Sequence, residues 1–142
     1  MRMILKYMMK IIIYLMIINT PISLGELVDK ISILMIKKKN ISDSIKLQHV
    51  NKELEFLQKT LKKYISEDEI NKFLLKLVNI NSKLWDIEDD IRECERKKSF
   101  DQTFIDLARS VYFTNDERAK VKNDINKTFG SELVEVKSYE EY

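Results

Sequence analysis

The sequence predicts an all-α fold: a helical bundle built on long antiparallel helices, with a small two-stranded ribbon joining the termini. Three observations point there. The 142 residues include only two glycines and one proline, so few positions interrupt a helix. Hydrophobic residues (44%) and charged residues (34%) are both plentiful, a mixture that argues against a disordered chain or an all-β sandwich. Apolar positions also recur in alternating steps of three and four, which keeps them on one side of a helix. The length suits one domain with its own core. Residues 1–19 read as an apolar N-terminal segment and residues 20–142 as the bundle.

The N-terminal segment is ambiguous. Residues 3–18 are apolar but broken by Lys6 and Lys10, leaving Ile11–Ile18 as the clean run. That is far short of the roughly 20 residues a membrane helix needs. Arg2, Lys6 and Lys10 ahead of the run resemble an export signal, yet the best small-x-small site, Ser23-Leu24-Gly25, falls inside a helix start. Five of the six methionines fall within residues 1–16, which also fits an upstream start-site extension. The preferred reading makes Ile11–Ile18 a β-strand, because Ile and Tyr dominate it. Its expected partner is Leu133–Tyr139, which alternates apolar and polar after Gly130. Membrane contact through this segment is the weaker alternative.

Four helical stretches follow. Ser23-Leu24-Gly25-Glu26 reads as a capping box, with Ser23 as N-cap and Glu26 reaching back to it. Leu24, Leu27, Val28, Ile31, Leu34 and Met35 continue at helical spacing. Lys37-Lys38-Lys39 suits a helix C-terminus, where cations meet the negative end of the dipole. A second helix starts near Ser42 or Asp43 and carries a heptad seam: Leu47, Val50, Leu54, Leu57, Leu61 and Tyr64. Ser66-Glu67-Asp68-Glu69 opens the third. Its seam, Phe73, Leu77, Ile80, Leu84, Ile87, Ile91 and Cys94, runs to about Lys98. A helix of about 30 residues extends roughly 45 Å and is the expected spine of the domain. Ser99-Phe100-Asp101-Gln102 starts the fourth, followed by Phe104, Leu107, Ala108 and Val111. Thr114-Asn115-Asp116-Glu117 looks like another box, so a kink or a fresh helix is expected there. Ile125 and Phe129 complete the pattern before Gly130, a C-cap residue.

Charge and unusual residues narrow the function. The net charge is +2, made of +5 over residues 1–40 and −3 over the remainder, and no nucleic-acid signature accompanies the basic end. Cys94, the only cysteine, cannot form an internal disulfide and fits a reducing, cytoplasmic setting as a small core residue. His49 is the only histidine, so a zinc site or a Ser-His-Asp triad would have to use it without nearby support. No metal or cofactor is expected.

One stretch stands apart. Asn81, Trp85, Glu88 and Arg92 step by four, three and four, so they line one side of the third helix and overlap its apolar stripe. Polar groups at the edge of a core need partners. If residues 101–129 run as one helix, Asn115, Arg118 and Lys122 fall among its apolar positions; with a break at Thr114 they sit at a helix N-terminus, which favours anions. In either case basic and amide groups face the acids of the third helix. Asp89, Arg109, Tyr112, Asn115 and Arg118 are the candidate opposite wall. One reading is a network of buried ion pairs that fixes helix register. The other is a pocket in which Arg92, Arg109 and Arg118 hold a phosphate or carboxylate, with Glu88 as candidate general base. A magnesium site would need a second acidic set, and Glu26 with Asp29 is the only one in view. The structural reading leads, because nothing supplies nucleophile chemistry.

Several of these stretches also resemble a known family. They are Ser23–Leu34, Leu84-Trp85-Asp86-Ile87-Glu88-Asp89-Asp90-Ile91-Arg92, Leu107–Tyr112 with Thr114–Arg118, and Val136–Tyr139. They resemble a family of small helical proteins, a domain of unknown function, found in marine bacteria and their viruses. The pattern Asn81…Leu84-Trp85…Glu88-Asp89…Arg92 is similar to a second helical family whose members accompany glycosyltransferases of surface polysaccharide synthesis. The resemblance implies a glycan-assembly context and no mechanism. The expected protein is therefore a cytoplasmic helical accessory or interaction protein, assembling with itself or a protein partner through the heptad faces at 47–64 and 73–94. The alternative is a small enzyme or binding protein for an anionic metabolite.

Overall fold

The computed structural model describes residues 16–142. They form four α-helices: α1 (Leu24–Asn40), α2 (Ser44–Leu61), α3 (Glu67–Lys97) and α4 (Gln102–Phe129). Each boundary has a local chemical cause. Ser23 accepts the Glu26 N–H at 3.2 Å, Asp43 accepts the Lys46 N–H at 2.8 Å, and Asp101 accepts the N–H groups of Thr103 and Phe104. At α3 the box closes through Glu69, whose carboxylate accepts the Ser66 O–H at 2.6 Å and its N–H at 3.4 Å. Gly130 ends α4 in the left-handed conformation (φ 67°), and Lys98 ends α3 the same way (φ 52°). The Ser23 box is only half made, because the Glu26 carboxylate turns away to Lys122.

α1 is the centre of the bundle, although it is the shortest helix at 17 residues. It lies alongside α2, α3 and α4, whereas α3 also packs on α4 and α2 lies against α1 alone. This corrects the expectation that the 31-residue α3 is the spine. Length does not decide centrality; the fraction of a helix's surface that is apolar does. α1 buries eight of its residues, among them Leu27, Val28, Ile31, Leu34 and Ile36. Leu54 and Leu61 of α2, Ile70 and Leu77 of α3 and Ile125 of α4 complete the core. A fully buried Ile or Leu contributes about 1.5–3 kcal/mol relative to exposure, so this cluster sets the helix order. The heptad seams turn inward for much of their length: Val50, Leu54 and Leu61 in α2, and Leu77, Leu84 and Ile87 in α3, are buried within the chain.

Two further expectations change. α4 runs unbroken through Thr114, whose side chain is buried at 1% exposure and so cannot sit at a helix start facing water. The two-stranded ribbon is absent among the described residues, which contain no strand. Its first half, Ile11–Ile18, lies mostly outside the described residues. Its second half, Leu133–Tyr139, instead returns along α4. Glu135 pairs with Lys122 at 2.8 Å, and Lys137 approaches Asp116 at 3.9 Å. Tyr142 donates to Asp116 and packs edge-on against Tyr112 and Phe113. Charged and aromatic anchors on the helix thus hold the tail where a strand ladder was expected. Among the described residues, no helix is long and apolar enough to cross a membrane.

Candidate functional site

Asp29 organises the interior polar network. It projects from the middle of α1 and is only 2% exposed. A carboxylate so placed needs several hydrogen bonds to offset its burial, and it has them. Arg118 of α4 donates Nε to Oδ1 at 2.9 Å and Nη2 to Oδ2 at 2.5 Å, a two-pronged pair. Asn81 of α3 donates its Nδ2 to Oδ1 at 2.8 Å and equally to Ser32 Oγ, while the Ser32 hydroxyl donates to the Asp29 carbonyl at 2.6 Å. Three helices are therefore fastened at one carboxylate. Its hydrogen bonds raise the Arg118 pKa above the ordinary value, outweighing burial.

A second polar cluster lies one turn along. Burial pulls the Lys122 ammonium toward a lower pKa, but its bonds with Glu135 and Glu26 outweigh this and the net shift is upward. Asn126 Oδ1 accepts the Gly25 N–H at 2.7 Å, and Ser131 Oγ accepts the Leu24 N–H at 3.2 Å. The start of α1 is thus satisfied by the end of α4 and the residues after it. Gly25 allows this approach: a Cβ there would lie 2.5 Å from the Lys122 carbonyl oxygen.

Beyond the Asp29–Arg118 pair a cleft of about 560 Å³ opens beside Trp85. α1 contributes Ile33, Ile36 and Lys37. α3 contributes Asn81, Leu84, Trp85, Glu88, Asp89 and Arg92, and α4 contributes Asn115 and Arg118. Arg118 reaches it with its third nitrogen: Nη1 points to Asn115 Oδ1 at 3.4 Å. Trp85 is half-buried at its edge. The combination of aliphatic and indole surface, two carboxylates, three cationic groups and two amides suits a small ligand with one apolar and one polar part.

The row Asn81, Trp85, Glu88 and Arg92, with Asp89, Asn115 and Arg118, lines this cleft. Arg109 and Tyr112 do not. Arg109 is exposed. The Tyr112 ring packs against Phe113 and Tyr142. The acid that meets Arg118 also differs from the expected one. Glu88 is exposed and, among the described residues, pairs with Arg92 alone, one turn on, at 3.6 Å, so it is neither buried nor set up as a buried general base. The reason is angular: Glu88 sits at the cleft mouth, while Asp29 projects from the helix that fills the groove between α3 and α4. Asp29 stands in a three-four row with Ile33 and Ile36, a polar residue on an otherwise apolar line, and that signal was readable in the sequence. The second acidic set suggested for magnesium is neutralised by cations, with Glu26 on Lys122 and Asp29 on Arg118. Among the described residues no three His, Cys, Asp or Glu side chains converge as a metal site. Cys94 is half-buried and His49 exposed.

Residues 18–142 match the model of a family of unknown function, DUF6165, and the chain belongs to that family. No curated protein and no solved structure matches it.

Proposed function

We propose that this member of the DUF6165 family is a helical binding protein whose ligand is a small phosphorylated or carboxylated metabolite held in the Trp85 cleft. One observation carries the reading: Arg118 is fixed by a buried carboxylate on one edge and faces the cleft with the other. A guanidinium whose rotamer is already locked loses little entropy on meeting an anion. Lys37 and Arg92 add charge at the rim, and Trp85 offers a flat face to a ring. At about 560 Å³ the cleft falls in the size range of small-molecule sites, about 300–1,000 Å³.

The finer reading places the ligand in glycan or nucleotide-sugar metabolism and the protein in the cytoplasm as an accessory to it. Its support is the similarity of Asn81, Leu84-Trp85, Glu88-Asp89 and Arg92 to a helical family that accompanies glycosyltransferases. A thermal-shift screen with nucleotide sugars, sugar phosphates, free phosphate and magnesium tests both levels. Sugar phosphates or nucleotide sugars are expected to raise Tm, and the gain to shrink in Arg92→Ala and Lys37→Ala. No gain across the set retires the binding reading. Gain with free phosphate alone retires the glycan reading and leaves anion binding.

A further inference from the structure

Asn81 is only 6% exposed, and both protons of its Nδ2 are taken, one by Asp29 Oδ1 and one by Ser32 Oγ, each at 2.8 Å. Ser32 Oγ must accept there, because its own proton goes to the Asp29 carbonyl. The orientation of the amide is therefore fixed, and what Asn81 has left to offer is its carbonyl oxygen. Nothing among the described residues donates to that oxygen. The sealed side-chain atoms without a partner among the described residues are Asn126 Nδ2 and Glu135 Oε2, and Asn81 Oδ1 is not one of them. It therefore opens into the cleft whose wall Asn81 helps to form.

Arg118 stands beside it, since both side chains donate to the same oxygen of Asp29, at 2.8 and 2.9 Å. Nε and one side of Nη2 are spent on Asp29, which leaves the outer edge of the guanidinium, Nη1 with the other side of Nη2. An acceptor is thus set next to a two-pronged donor, a wall that matches an acid group with a hydroxyl beside it. The charges of the lining agree. Glu88 pairs with Arg92 and Asp29 answers Arg118, so Lys37 and Asp89 remain, one of each sign. That balance suits one acid group among hydroxyls better than a chain of phosphates, and the exposed Asp89 is a second acceptor for hydroxyls. Trp85, Leu84 and Ile33 offer apolar surface to the C–H face of a ring. We propose that the ligand is a polyhydroxylated acid, a sugar bearing a carboxylate or a single phosphate, with Arg118 on the acid group and Asn81 Oδ1 selecting the hydroxyl next to it. This inference rests on the anion-binding reading of the cleft and adds the residue that confers specificity.

The test compares ligands that share ring size and acid group but differ in hydroxyls. Isothermal titration calorimetry on the full chain takes glucuronate with cyclohexanecarboxylate, and glucose 1-phosphate with cyclohexyl phosphate. The sugar of at least one pair is expected to bind at least about tenfold more tightly than its hydroxyl-free counterpart, because the analogue leaves the acceptor of the site unpaired. In the 15N-labelled protein, the side-chain amide signals of Asn81 are expected to shift further with that sugar than with the analogue at saturation. Asn81→Ala is expected to equalise the two affinities. Asn81 also holds Asp29, so the amide signals of the wild type carry the test if that variant unfolds. Equal affinity within each pair overturns the inference while anion binding stands. So does a preference for the sugar that survives in Asn81→Ala, or one that leaves the Asn81 amide signals unmoved. Failure of every one of these ligands to bind would remove the anion-binding reading, and this inference with it.

Discussion

The carboxylate of Asp29 and the guanidinium of Arg118, 89 residues apart in the chain, meet through two hydrogen bonds in the interior of the bundle. The pair joins α1 to α4, and Asn81 adds α3 to the same oxygen. It both fixes helix register and prepares one wall of the cleft.

Breaking that pair is therefore costly. Arg118→Ala leaves a buried carboxylate with Asn81 as its remaining side-chain partner and is expected to cost about 3–5 kcal/mol. Asp29→Ala is expected near the lower end of that range of about 3–5 kcal/mol, because Arg118 is partly open to water and can rehydrate. Arg118→Lys cannot reproduce the two-pronged geometry and is expected to recover less than half of the loss. Urea denaturation of the four proteins measures all three values.

Glu88 is expected to behave oppositely. Its side chain is 51% exposed and its pair with Arg92 is long. Glu88→Ala is expected to cost less than about 1 kcal/mol, the range of surface ion pairs. A loss of about 3 kcal/mol in the same denaturation series would mean that the carboxylate is buried after all.

Gly25→Ala pits two effects against each other. Alanine gains about 1 kcal/mol over glycine in a helix interior. Here, however, its methyl would lie 2.5 Å from the Lys122 carbonyl oxygen and 3.0 Å from Asn126 Oδ1, so α1 and α4 must separate. Overpacking of this kind costs about 1–3 kcal/mol and strains the Asn126 bond to α1. The expected net result is destabilisation by about 1–2 kcal/mol. A rise in Tm would show that the two helices are not in close contact.

Alkaline titration reports on the tail. The hydrogen bond to Asp116 pushes the Tyr142 phenol up from 10.0 to about 12. A folded-state pKa above the unfolded one means that the contribution to stability is intact below pH 10 and fades as pH rises through about 12. Lys122 acts in the same direction, since its pKa is raised above 10.5 and its ion pairs are lost when the ammonium deprotonates. Phenolate absorbance is expected to show one late-titrating tyrosine that returns to the ordinary range in Asp116→Asn. If the two proteins titrate identically, the tail is not anchored there.

The helix ends were legible because their causes are local. Ser23, Asp43, Ser66, Asp101 and Gly130 act within four residues of themselves, and each stands at a cap. The row Asn81, Trp85, Glu88 and Arg92 was legible for a similar reason, since spacing fixes which residues share a helix face. What spacing cannot fix is which face of a distant helix arrives opposite. Glu88 and Asp29 were both available to Arg118, and the packing of Val28 and Ile31 into the core decided between them by carrying Asp29 inside. Leu133–Tyr139 misled because alternation describes a strand only when an edge is there to pair with. Here the tail meets a helix, whose backbone has no free ladder to offer.

Trp85 is the chain's only tryptophan and lies at the cleft, so its fluorescence tests the proposed function most directly. Titration with a nucleotide sugar, a sugar phosphate and inorganic phosphate is expected to give a saturable change for at least one of the first two. The apparent Kd is expected to weaken about tenfold in Arg92→Ala, the size of a single lost charged hydrogen bond, with stability unchanged. An emission spectrum that stays constant across all three titrations would contradict a ligand in the cleft.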